Sequence, residues 1–69
     1  MNTTFKERLI QEQSDLNEKI EKLKAFIDGN EIFKTLPEEQ QNLLHKQFYY
    51  MDCYKRVLIR RIELLNKKE

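Results

Sequence analysis

The sequence predicts an all-α protein, an antiparallel two-helix hairpin of coiled-coil type that assembles into a homo-oligomeric helical bundle. Three observations carry this expectation. The chain has one Gly and one Pro in 69 residues, with 36% charged residues, a composition suited to long helices. Its apolar residues recur at helical spacing on both sides of a short Gly-to-Pro connection. One of the two helical segments also carries more apolar surface than the other can cover. A chain this short forms one domain at most, taken as residues 1–69, and seldom buries enough apolar surface alone.

Helix 1 is predicted over about 4–28. Thr4 and Glu7 have capping-box spacing, in which a hydroxyl and a carboxylate each satisfy the other's free backbone donor. Phe5, Leu9, Leu16, Ile20, Leu23 and Ile27 then follow at spacings of 4, 7, 4, 3 and 4. At 100° per residue they fall in a stripe roughly 60° wide. Gly29 is placed to end the helix in the left-handed conformation. The connection covers 29–36, where Asn30 is positioned to cap a short helical turn that carries Ile32 and Phe33 as a plug.

Helix 2 is predicted over about 37–66, with Pro37 as its first residue. Glu38 and Glu39 then lie at the positive end of its dipole and Lys67 and Lys68 at the negative end. Leu44, Phe48, Met51, Leu58, Ile62 and Leu65 form a stripe to match helix 1. A second stripe of Leu43, Tyr50, Tyr54, Val57 and Leu64 lies about 100° around the same helix. One narrow partner stripe cannot cover both, so these five residues are the expected oligomer interface or a partner surface. The plainer alternative is a monomer with a few exposed aromatics.

Thirteen Lys and Arg against twelve Asp and Glu leave a net charge of +1, which argues against general nucleic-acid binding. The longest purely aliphatic run, Val57-Leu58-Ile59, is far short of the roughly 20 apolar residues of a transmembrane helix. A lone cysteine, Cys53, without an N-terminal apolar segment predicts an intracellular, cytoplasmic protein. No cofactor motif is legible, since a glycine-rich phosphate loop needs more than one Gly.

Catalysis is not expected. His45 and Cys53, the two residues that suggest nucleophilic chemistry, lie about 80° and about 12 Å apart on one helix. Neither is i, i+3 or i, i+4 from Asp52 in a way that makes a metal site of the three. On helix 1, Glu12, Asp15, Glu18 and Glu21 alternate with Lys19, Lys22 and Lys24. Asp15-Lys19 and Glu18-Lys22 are expected to pair on a solvated face.

The basic residues of helix 2 differ in their surroundings. Arg56 has Asp52 four residues before it, and Arg60 has Glu63 three after it. Lys55 sits in the first stripe between Met51 and Leu58, within reach of Asp52. Arg61 is bracketed by Val57, Leu58, Leu64 and Leu65 on the second stripe. Its guanidinium needs a carboxylate from another chain, water reached by snorkelling, or an anionic ligand, because burial unpaired costs several kcal/mol. Tyr50 and Tyr54 are i, i+4 neighbours on that stripe, while Tyr49 points to the other side. Aromatic rings beside a guanidinium suit a nucleobase and its phosphate, and they equally suit a protein interface. Tyr50, Tyr54 and Arg61, with Lys55 or Arg60 assisting, are therefore the candidate ligand-binding residues.

The segments "FKERLIQEQSDLNEKIEKLKAFI", "LPEEQQNLLHKQ" and "MDCYKRVLIRRI" resemble a small helical-hairpin family of crAss-like and other bacteriophages and of prophages, a family without an assigned role. The matching positions include Phe5, Leu9, Leu16, Ile20, Leu23, Phe26, Leu43, Leu44, Gln47, Met51, Tyr54, Leu58, Arg61 and Ile62. More distantly, the chain is similar to the hairpin sponges with which phages counter the CBASS and Thoeris defences. That similarity implies a symmetric oligomer with inter-subunit pockets for a cyclic-nucleotide or cyclic ADP-ribose-type signal. A second function class remains open, an inhibitor or adaptor that presents the second stripe to a host protein.

Overall fold

Pro37 and Asn30 divide the chain. The computed structural model describes residues 3–67, with the side chains of residues 5–67. Helix α1 spans Thr3–Gly29, a five-residue α2 spans Glu31–Thr35, and α3 spans Glu38–Asn66. The described chain is all-helical apart from its two short breaks. The Thr4 side chain of the expected capping box and Lys68 lie outside the described residues.

The break after α1 differs from the expectation. Gly29 stays within the helix, and no glycine or other described residue has a positive φ. The Asn30 N–H still donates to the Phe26 carbonyl at 3.2 Å, completing α1's last turn. Asn30 then turns extended, at φ −83° and ψ 133°, and its side chain accepts from the Ile32 N–H at 2.7 Å. A new helix starts at once, so a single extended capping residue makes the corner and no left-handed residue is needed.

Pro37 also differs from its expected place. It is the N-cap of α3, at φ −56° and ψ 150°, rather than the first helical residue. Its carbonyl accepts the first bond of α3 from the Gln41 N–H at 3.0 Å. Having no side-chain donor or acceptor, Pro37 cannot tie off the turn, and the Gln41 side chain does so instead. Its amide donates to the carbonyl of Leu36 at 3.0 Å and to that of Phe33 at 3.1 Å, which also accepts the Leu36 N–H at 3.1 Å.

Helices α1 and α3 lie side by side in opposite directions. Glu12 meets Tyr54 and Asn17 meets Lys55, while Lys24 and Asp28 share the far end with His45 and Phe48. The core is the seam between them: Leu9, Leu16, Ile20 and Leu58 are buried, with Phe48, Met51, Ile62 and Leu65 packed against them. Leu58 is 0% exposed. Phe33 closes the connection end, edge-on to Phe26 at 5.9 Å and to His45 at 5.8 Å.

Two expected core residues lie outside. Phe5 is 56% exposed, because at the start of α1 only the last turns of α3 are beside it. Ile32 is 61% exposed, so Phe33 alone is the plug. In a five-residue helix the two neighbours point about 100° apart, and only one can face the seam.

These placements have measurable consequences for stability. Leu58→Ala should cost about 2–5 kcal/mol in urea unfolding, because the buried methyls leave a cavity. Gly29→Ala should stabilise by about 0.4–1 kcal/mol in thermal unfolding, since its backbone is helical and a Cβ there meets nothing within 4 Å. A left-handed Gly29 would give the opposite sign.

Candidate functional site

The uncovered stripe of α3 is the main surface feature. Leu43, Tyr50, Tyr54, Val57 and Leu64 are all exposed, Tyr50 at 63% and Tyr54 at 44%. For 8.5 kDa, a compact monomer exposes about 4,700 Å². This chain exposes 5652 Å². The excess follows from geometry, since α1 contacts only one face of α3.

Around Tyr50 and Tyr54 the stripe opens into a groove of about 520 Å³, also lined by Leu43, Lys46, Gln47 and Met51. The two expected aromatic residues therefore share one concave surface. Arg61 is exposed farther along the same helix face, and no carboxylate among the described residues lies within 4 Å of it. Tyr49, expected to stand apart, has its ring 5.6 Å from that of Tyr50 at an interplanar angle of 63°.

The two assisting cations are engaged elsewhere. Lys55 is half-buried on the seam, where its Nζ donates to Asn17 Oδ1 at 3.3 Å and lies 3.9 Å from Asp52. Arg60 donates to Glu63 at 3.3 Å. Arg56 donates to Asp52 at 3.0 Å, and that bond, then the carboxylate's charge, raises its pKa. Asp52 and Glu63 are the local partners anticipated for these three, whereas Asn17 on α1 is a further partner of Lys55 that local spacing does not reveal.

Contacts from α1 were not legible as part of the site. The Tyr54 hydroxyl donates to the Glu12 carboxylate across the helix pair. A second groove, of about 440 Å³, runs beside this contact, lined by Arg8, Gln11, Glu12, Asp15, Leu16, Lys19 and Tyr54. Asp15 accepts from the Gln11 amide at 2.9 Å. The ion pairs within 4 Å on α1 come down to Lys24–Asp28 at 3.8 Å among the described residues; the expected Asp15–Lys19 and Glu18–Lys22 pairs do not close. The signal that was available is angular: Glu12 lies about 60° from Leu9 on α1, on the edge that borders the helix seam.

His45 and Cys53 have separate surroundings. His45 packs on Phe33, whereas the half-buried free thiol of Cys53 is near Tyr49. The Cys53 hydrogen bond, then its charge, holds the Tyr49 phenol above its ordinary pKa. Among the described residues no three His, Cys, Asp or Glu side chains gather as a metal site requires, and no helix is long and apolar enough to cross a membrane.

Two long helices with one spare aromatic face define a small all-helical protein. The Sequestin family model matches residues 3–64, and the chain belongs to that family. Comparison with curated proteins and with solved structures returns no match.

The cross-helix bond can be measured alone. Tyr54→Phe keeps the ring and removes the donor, and should lower stability by about 0.5–1.5 kcal/mol in thermal unfolding.

Proposed function

We propose that the chain is a phage-encoded, non-enzymatic helical hairpin, a single domain that assembles with copies of itself in the host cytoplasm. It acts as an anti-defence sponge, sequestering a small anionic nucleotide signal of the cyclic-nucleotide or cyclic ADP-ribose type. The observation that carries this reading is the uncovered face of α3, where Tyr50 and Tyr54 line one groove and Arg61 stands exposed on the same face. Membership of a family whose name denotes sequestration supports it.

The stripe supports self-association by its period. Leu43, Tyr50, Val57 and Leu64 recur at seven residues, the repeat that keeps an apolar seam facing a second helix. Tyr54 and Arg61 recur at seven beside it. A ligand held there is flanked by subunits, with tyrosine rings to stack on a base and Arg61 to hold phosphate through its paired donors.

Light scattering should show a stable oligomer at micromolar concentration; a strict monomer would remove the basis for inter-subunit pockets. In calorimetry against cyclic di- and trinucleotides and cyclic ADP-ribose isomers, the oligomer should bind one class, and Tyr54→Ala and Arg61→Ala should each lose tenfold or more. No binding by the intact oligomer sinks the reading. The groove at Tyr50 is also chiefly apolar, which favours a second reading, an inhibitor or adaptor that binds a host protein through this face. That reading expects a one-to-one complex which Tyr50→Glu disrupts.

A further inference from the structure

The α1 groove has a charge pattern that a plain anion site would not have. Glu12 and Asp15 line it beside Tyr54, although the proposed ligand is itself an anion. Each carboxylate is oriented, Glu12 by the Tyr54 hydroxyl and Asp15 by the Gln11 amide. Arg8 and Lys19 line the same groove, and neither has a carboxylate within 4 Å among the described residues. They are eleven residues apart on α1, about 16 Å along the axis. The groove therefore offers cations toward its two ends and acceptors between them.

A carboxylate accepts hydrogen bonds at about four positions, so Glu12 keeps acceptor capacity after accepting the Tyr54 hydrogen bond. Phosphate placed against it would be repelled. What it suits is the neutral, donor-rich part of a nucleotide, and an acidic side chain on ribose hydroxyls is a recurrent means of recognising the sugar. Resting on the sponge reading above, we propose that the groove between α1 and Tyr54 is the ribose subsite, with Glu12 accepting from the sugar hydroxyls and Arg8 and Lys19 facing phosphate. Tyr54 then belongs to both grooves, with its ring available to the base and its hydroxyl holding Glu12 in place.

Calorimetry on the full chain with cyclic ADP-ribose and its analogue lacking the 2′-hydroxyls tests the subsite. The wild type should prefer the parent about tenfold or more. Glu12→Gln should lower affinity for the parent about tenfold and abolish the preference, while Lys19→Gln should weaken both probes alike. Unchanged affinity or preference in Glu12→Gln overturns the subsite. Tighter binding also overturns it, because that would place phosphate against the carboxylate. If Glu12→Gln fails to assemble in light scattering, Lys19→Gln decides, and unchanged affinity there overturns the proposal. Wild-type binding that Tyr54→Ala abolishes but Glu12→Gln leaves alone overturns only the subsite; no binding of either probe by the wild type overturns it together with the cyclic ADP-ribose form of the sponge reading.

Discussion

The burial of Leu58 against Leu9, Leu16 and Ile20 sets the geometry on which everything else depends. A helix presents one face to one neighbour, and α1 presents a stripe only about 60° wide. Once α3 turns Leu58 into that seam, Phe48, Met51, Ile62 and Leu65 follow at helical spacing. The same rotation carries Leu43, Tyr50, Val57 and Leu64 out to solvent. Core and exposed stripe are thus two results of one rotational choice, and a change that rotated α3 would exchange one for the other.

The connection keeps the two helices in register. Asn30 caps α2 from one side, and Gln41 reaches back from α3 to the carbonyls of Phe33 and Leu36 on the other. Phe33 fills the space between them, edge-on to Phe26 and His45. The Phe33 and Leu36 carbonyls at the corner thus find donors close in sequence. That leaves Gly29 free of any special backbone duty.

Electrostatics divides the basic residues by position. Arg56, Arg60 and Lys55 have carboxylate or amide partners near at hand, so their charge is largely committed. Arg61, Arg8 and Lys19 have none within 4 Å among the described residues. Arg8 and Lys19 line the groove that Tyr54 borders, and Arg61 is exposed farther along α3. Surface pairs of the first kind contribute little to stability.

The amino-acid sequence by itself determined the helices, the matching stripes and the surplus stripe, because helical periodicity is a local property that 100° per residue projects directly onto faces. It also placed the carboxylate partners of Arg56, Arg60 and Lys55, each within about one turn of α3, though not the Lys55 bond to Asn17 across the helix pair. Corner details were only partly legible: Asn30 as a cap could be read, but helical Gly29 and Pro37 outside α3 depend on how soon the next helix begins. Only the tertiary structure decided that Glu12 meets Tyr54, since 42 residues separate them and the contact depends on how α1 lies against α3. For the same reason a set of helix 1 carboxylates that reads locally as a solvated face became, in part, one wall of a groove.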